Sequence, residues 1–461
     1  MTPAAAIAGR AKEVPMSEAV DAPAIHPALN NPSATKRVIA AVMGNALEFY
    51  DFTVYATFAA VIGRTFFPAT NANLSLLLSV ATFGVGFVAR PLGGILVGAY
   101  ADRFGRKPAM TLTIWLMALG SGMIGFLPSY AQIGIFAPLL LVLARLVQGF
   151  SAGGEMGPAT TYLLESAPAG RKCFFGSWQL ASQNIGNIIS GIIGVLLALF
   201  LSDTVTNSWG WRIPFLLGML IAPIGFYIRR NLDETLDAEE AHDSMSAVLS
   251  DIVKRHWSQI LLCILVISGA TITQYFFIYT TTYALTTLGY GQRAAMTANL
   301  CVGVSGTTFA LIGGVLADRW GIKAITVIPR VLVTLLLYPA LQLIVSSGSP
   351  AVFIVVVAAL MSLHAMSGAA GIILIPKVFP AAIRTSGLSI AYATGVTLFG
   401  GTAQIVFTWI IGATGDKLSW VWYIIGMSII SILGTLVIKV PEGWSASKRS
   451  GPALAYAESL D

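Results

Sequence analysis

Apolar stretches of about 20 residues recur along this chain from residue 38 to residue 440, each long enough to cross the ~30 Å hydrocarbon core of a bilayer as a helix. Twelve can be drawn, at 38–62, 74–98, 109–128, 133–163, 174–201, 211–230, 258–285, 294–316, 324–346, 351–375, 386–412 and 418–439, and are numbered spans 1 to 12 below. Backbone polar groups in lipid must be satisfied within each segment, so the expected fold class is an all-α membrane protein. Composition agrees: 56% of the 461 residues are hydrophobic and 10% charged, against about 25% charged in an average soluble protein. Too few charges remain to wet the outside of a soluble body. An ordinary soluble enzyme, a disordered regulator and a basic nucleic-acid binder are therefore excluded.

The net charge of +6 is a topology signal. With the N-terminus placed in the cytoplasm, 20 of the 27 Lys and Arg fall on inside segments. Four (Arg64, Arg212, Arg293, Lys417) fall outside and three (Arg90, Arg145, Arg330) lie within spans. That bias follows the positive-inside rule and places both termini in the cytoplasm of a cell whose inner (plasma) membrane holds the protein. Residues 1–37 form an Ala- and Pro-rich cytoplasmic tail, not a cleavable signal peptide, and 441–461 a second tail. Cys173, Cys263 and Cys301 have no CxxC spacing and are expected to be packing residues, with no metal site or cofactor.

The longest polar stretch between spans, 231–257, is rich in Asp and Glu and is expected as a cytoplasmic linker between a first half, 38–230, and a second, 258–440. The halves echo each other. Gly98-Ala-Tyr-Ala-Asp102-Arg103-Phe-Gly105-Arg106-Lys107 follows span 2, and Gly314-Val-Leu-Ala-Asp318-Arg319-Trp-Gly321-Ile-Lys323 follows span 8. Glu165-Ser-Ala-Pro168-Ala-Gly-Arg171 after span 4 likewise matches Lys377-Val-Phe-Pro380-Ala-Ala-Ile-Arg384 after span 10. Repeats at corresponding places in two six-helix halves mark a rocking transporter with its site between the halves.

The Gly-x-x-x-Asp-Arg-x-Gly-Arg-Lys stretch resembles the signature of the major facilitator superfamily. In physical terms Asp102 can face the positive N-terminal end of a helix in the other half, and Arg106 can pair with Glu165, forming a latch that breaks when the halves rock. Asp318 is the matching acid of the second copy. That copy departs from the pattern, with Ile322 for Arg and Lys377 opposite Glu165, so its latch is expected to be wired differently.

Ionisable groups inside spans cost at least about 2.5 kcal/mol each on insertion scales and need a reason. Glu48 and Asp51 of span 1 stand one helical turn apart, and in low dielectric they resist ionising together unless a cation neutralises one of them. They are candidate proton carriers, with static pairing to Arg145 or Arg90 as the alternative. The segment Arg145-x-x-Gln148-Gly149 resembles a second superfamily signature, and Arg145 is a partner for Asp51 that substrate or a proton would displace. Arg90 is a candidate anion contact, the alternatives being snorkelling or a pair with Glu155. Arg330, about one turn into span 9, is expected to snorkel. His364 is either a packed histidine or a group for proton or anion handling. Gln179, Gln183 and Asn187 on span 5 and Tyr275, Tyr279 and Tyr283 on span 7 form polar stripes that could line a cavity.

Further segments resemble the metabolite:proton symporter family of that superfamily: Gly44-Asn45-Ala-Leu-Glu48-Phe-Tyr-Asp51-Phe52, Arg90-Pro91, Arg145 to Glu155, and Trp209-Gly-Trp211-Arg212-Ile-Pro214-Phe215. Ser177-Trp-Gln179-x-Ala-Ser182-Gln183 and Tyr275-Phe-Phe-Ile-Tyr279-Thr-Thr-Thr-Tyr283 are most similar to the citrate and tricarballylate symporters. The resemblance implies uptake of an organic anion with protons, and a monomer is expected. It also implies that Asn45, Arg90 and Gln183 lie in or near the substrate cavity, which Gln179, Tyr279 and His364 are expected to complete. Dicarboxylates, 2-oxoglutarate, shikimate and a zwitterionic osmolyte remain open as substrates. A membrane enzyme would need a nucleophile–base or metal cluster, which the sequence does not offer. A non-transporting receptor would typically add a soluble output domain.

Overall fold

A computed structural model describes residues 32–438 apart from 70, 105, 154–159, 161–162, 165–166, 169, 231–253 and 380–383. The expected linker and both tails therefore lie largely outside the described residues, as do Glu155 and Glu165. The described residues are helical and include no strand. Seven helices are long and apolar enough to cross a membrane: Ala72–Val97, Lys172–Phe200, Trp257–Thr286, Gln292–Trp320, Ile322–Ser347, Pro350–Val378 and Gly387–Thr414. They are spans 2, 5 and 7 to 11. The remaining places are filled by helices that are shorter or more polar in their described parts: Pro32–Thr57, Arg106–Phe126, Phe136–Ala152, Ile213–Arg230 and Val421–Val437. The chain is thus an all-α membrane protein of twelve spans in two six-helix halves. Span 1 begins before the expected residue 38 and ends at Thr57, where Phe58 leaves helical geometry and a second helix, Ala59–Phe66, follows.

The distribution of side chains is that of a body dissolved in lipid. Phe200, Leu335, Val355 and Val437 are exposed, whereas Glu48, Asp51, Arg90, Arg145, Gln148 and Arg330 are buried. Close backbone contact holds the spans together, and small residues permit it. A methyl at Gly149 of span 4 would run into the Gly86 carbonyl of span 2, and one at Gly84 into the Gly401 carbonyl of span 11. Span 2 itself breaks at Ala89, between the helices Ala72–Val88 and Arg90–Phe104. Pro91 has no N–H to give Phe87, and Thr397 of span 11 donates to that carbonyl instead at 3.1 Å. Thr397 lies in a π-helical turn, Val396–Gly400, within span 11.

The halves meet at both ends of the bundle. At the end away from the termini, Thr282 of span 7 donates to the Ala56 carbonyl of span 1 at 2.9 Å, and Arg293 of span 8 to Ala198 of span 5 at 3.2 Å. At the other end, Asp318 closes span 8 onto span 5. Its two carboxylate oxygens accept the backbone N–H groups of Cys173 and Phe174 at 2.8 and 2.9 Å. The helix Lys172–Phe200 has Arg171 as its own N-cap, which offers no side-chain acceptor, so the acid from the other half supplies the cap. The kind of contact expected of Asp102, an acid on a helix N-terminus of the other half, is made here by Asp318 of the second copy, whose latch was expected to be wired differently. The Asp102 and Arg106 side chains of the first copy lie outside the described residues.

Candidate functional site

Span 1 carries the acids, and its neighbours within the first half decide what each one meets. Glu48 accepts from Arg90 Nη2 at 3.3 Å, and both groups are buried. The Arg90 guanidinium also lies between two aromatic faces, 4.5 Å from the Phe52 ring centroid and 4.4 Å from that of Phe87. Rings with negative faces hold a desolvated cation from sides where no carboxylate stands. Pairing with Glu48 is one of the two static arrangements weighed from the sequence.

Arg145 does not pair with Asp51. Its Nη1 donates to Gln148 Oε1 at 2.8 Å and its Nη2 to the Phe83 carbonyl at 3.3 Å, with the Tyr55 ring 4.5 Å away. Gln148 in turn donates to Ser121 of span 3 at 2.9 Å. Asp51 faces this relay from its far end, its Oδ1 set against Gly218 of span 6 and beside Ser121. That Oδ1 is buried with no hydrogen-bond partner. The two acids of span 1 thus serve separate networks, one through Arg90 and one through Ser121, Gln148 and Arg145. Phe52 lies within reach of both cations, 5.1 Å from Arg145.

Between the halves lies a cavity of about 70 Å³, room for about five waters. The first half contributes Phe49, Leu180 and Gln183; spans 7, 9, 10 and 11 supply the rest, including Gln274, Tyr275, Arg330, His364 and Tyr392. Of the residues expected around substrate, Gln183 and His364 are on this wall. Arg90 is not on the wall but behind it: its guanidinium stacks on Phe87, whose ring centroid is 5.4 Å from that of Tyr275. Asn45 is turned to span 5, donating to Ser182 Oγ at 2.7 Å and to the Gln179 carbonyl at 3.0 Å. Neither Asn45 nor Gln179 lines the cavity. Tyr279 is also off the wall, its hydroxyl 2.9 Å from Thr408 of span 11. Much of the span 5 stripe joins helices: Asn187 accepts from Thr53 of span 1 and donates to Asn184.

Arg330 corrects the expectation from depth. It is buried, not snorkelling: its Nε donates to Ser367 of span 10 at 3.1 Å and its Nη1 to Ser431 of span 12 at 2.6 Å. His364 sits nearby with Nε2 at 3.2 Å from Gln274 Oε1 and its ring 5.4 Å from that of Phe277. Tyr392, Gln274 and Ser121 belong to these networks and were not among the expected residues. Gln274 was visible beside the tyrosine stripe, but nothing in the sequence marks Ser121 or Tyr392.

The sequence profile described as Major Facilitator Superfamily matches residues 41–340. The chain belongs to that superfamily. Its sequence relatives include a citrate-proton symporter of Salmonella typhi, 34% identical over 92% of this chain and 98% of the relative, and one of Klebsiella pneumoniae, 34% identical over 86% and 90%. A putative proline/betaine transporter of Staphylococcus aureus (strain COL) is 36% identical over 88% of this chain and 87% of its own. Among solved structures, a D-xylose-proton symporter superposes with a TM-score of 0.71 at 18% identity, covering 90% of this chain and all of that one. The E. coli xylose transporter in a partially occluded inward-open conformation gives 0.70, also at 18%. These superpositions carry the fold alone. The superfamily member described here has relatives that are transporters and not enzymes, and it is a multi-pass membrane protein.

Proposed function

We propose that this chain is a proton-coupled symporter importing an organic anion, a citrate-like tricarboxylate before other carboxylates, by rocker-switch alternating access. The names of the sequence relatives support both the coupling and the anion. The observation that carries the reading is the buried Arg90–Glu48 pair behind the inter-half cavity. While Glu48 is ionised, the charge of Arg90 has its counter-ion, although its Nε makes no hydrogen bond. Protonating Glu48 leaves a buried guanidinium without its counter-ion, a state that a substrate carboxylate relieves. Proton and anion then favour each other's binding, as symport requires. Asp51, through Ser121, Gln148 and Arg145, is the second place where a proton can be held. The Asp318 cap, with Asp102 and Arg106 of the first motif and Glu165 after span 4, forms the latch at the end bearing the termini, taken as cytoplasmic. Moving one elementary charge inward is worth about 2.3 kcal/mol per 100 mV, so a trivalent anion must bring more than about three protons to exploit the membrane potential.

Uptake of labelled citrate into proteoliposomes tests this. Inward-directed proton gradients should accelerate entry, and equal rates with and without a gradient would refute symport. A zwitterionic osmolyte is the second reading. The wall residues Phe49, Tyr275 and Tyr392 could face a quaternary ammonium, and relatives named for proline and betaine exist. Uptake of glycine betaine but not citrate in the same vesicles would select it.

A further inference from the structure

Arg330 is a buried cation with one arm left open. Ser367, Ser431 and the Val266 carbonyl take its Nε and Nη1, at 3.1, 2.6 and 3.5 Å. Its Nη2 makes no hydrogen bond. The Nη2 lies beside Gly371 of span 10, where an added Cβ would stand 3.4 Å away, so this glycine gives the guanidinium its place on the cavity wall. No carboxylate among the described residues stands close to Arg330, in contrast to Arg90 with Glu48.

On the rest of the same wall two amide donors are unmet. Gln274 has its oxygen engaged by His364, while its Nε2 is buried without a partner. Gln183 Nε2, on span 5 across the cavity, is also buried outside hydrogen-bond geometry with any partner, its side chain lying towards the Tyr392 hydroxyl. Among the cavity-lining residues, the buried side-chain atoms left unsatisfied are these two amide nitrogens, and no oxygen joins them. The Arg330 guanidinium and the Gln274 and Gln183 side chains, from spans 9, 7 and 5, thus line one space. Each buried unmet donor carries a desolvation penalty, and an uncompensated guanidinium a larger one. A carboxylate placed there takes the charge-assisted bond that Arg330 has free, which fixes its position beside the two amides.

We infer that Arg330, with Gln274 and Gln183, forms a second carboxylate subsite on the C-terminal side of the cavity, so that the ligand carries at least two carboxylates. This rests on the anion-symport reading: one carboxylate answers Arg90 once Glu48 is protonated, and another answers Arg330. The two cations belong to opposite halves, so a di- or tricarboxylate links the halves that must move together. A solute with one carboxylate and a fixed positive charge would bring that charge towards a guanidinium with no counter-ion, and is disfavoured.

The test is ligand binding to purified protein in detergent, with citrate, succinate and glycine betaine as probes. Wild type should bind citrate and succinate in preference to betaine. Arg330→Gln keeps hydrogen-bonding capacity towards Ser367 and Ser431 but removes the charge, and should weaken citrate binding by about tenfold or more, the loss of one charge-assisted contact. Arg330→Lys should restore part of it, and Gln274→Leu should weaken citrate several-fold with the arginine intact. If Arg330→Gln does not fold, the lysine and leucine variants carry the same comparison. Citrate affinity unchanged in all variants that fold would overturn the subsite while leaving anion symport standing. A wild type that binds betaine and neither carboxylate would overturn both.

Discussion

Asp318 offers a direct measure of what holds the halves together at the end bearing the termini. Its carboxylate accepts two backbone N–H groups of the first turn of span 5, at 2.8 and 2.9 Å, and stands where the helix dipole is positive. Hydrogen bonds to a charged group are worth about 1.5–3 kcal/mol each in net terms. Asp318 is only partly buried, and water replaces it when this end opens, so the whole contact is worth about 2 kcal/mol. Asp318→Ala should therefore raise the population open at this end about 30-fold. Cys173 reports it, because it is 3% exposed and donates one of the two N–H groups. With Cys263→Ser and Cys301→Ser as background, maleimide labelling of Cys173 in detergent should accelerate by about the same factor while opening is fast relative to labelling. Asp318→Asn keeps one acceptor oxygen and should give about a fivefold rise. The pair of variants separates opening from a local effect on the thiol: both remove the charge equally, so a purely local effect would move both alike. Labelling at the wild-type rate in both variants would refute the cap as a contributor to closure.

Other consequences are sharper in transport and folding assays. Glu48→Gln should abolish the stimulation of citrate uptake by a proton gradient while citrate counterflow persists; gradient-driven accumulation in that variant would remove Glu48 from coupling. Arg90→Ala should lose citrate binding and also strand Glu48 in a buried site, lowering thermal stability by about 3–5 kcal/mol as broken buried pairs do. Unchanged citrate affinity would take Arg90 out of the site. Thr397→Val removes the side-chain donor to the Phe87 carbonyl at the Pro91 break and should cost about 1 kcal/mol, measured as a lower melting midpoint, whereas Thr397→Ser should be near neutral. Gly149→Val drives a side chain into the Gly86 carbonyl and should abolish the monodisperse peak in size-exclusion chromatography.

The number and order of the spans were legible because lipid imposes a one-dimensional rule, an apolar run of fixed minimum length, that a sequence displays directly. The intramembrane charges were legible for the same reason, as exceptions to that rule. Their partners were not. Glu48 and Asp51 are one turn apart on a single helix, yet one meets span 2 and the other spans 3 and 6, a choice set by helix rotation and packing. Arg330 illustrates the limit best. Depth alone reads it as a snorkelling residue, but Ser367 and Ser431, 37 and 101 positions away in sequence, turn it inward. Small polar residues on spans 10 and 12 were the available signal, and serine in a membrane helix more often bonds to its own backbone, as Ser362 does to Ala358.

Once the partners are known, the charges divide unequally. Among the described residues of the first half, the buried Glu48, Asp51, Arg90 and Arg145 balance, two acids against two bases. In the second half Arg330 faces the cavity with no acid close to it. A cavity between one neutral network and one unanswered cation has a net preference for anions. A zwitterion leaves that preference unmet, because its own positive charge must also be housed among donors. The bias comes from the C-terminal wall, so removing it with Arg330→Gln should narrow the gap between citrate and betaine binding, whereas Glu48→Gln, which leaves Arg330 in place, should preserve citrate's advantage. If both substitutions changed the citrate-to-betaine ratio equally, selectivity would reside in the first half and the charge asymmetry would not be its cause.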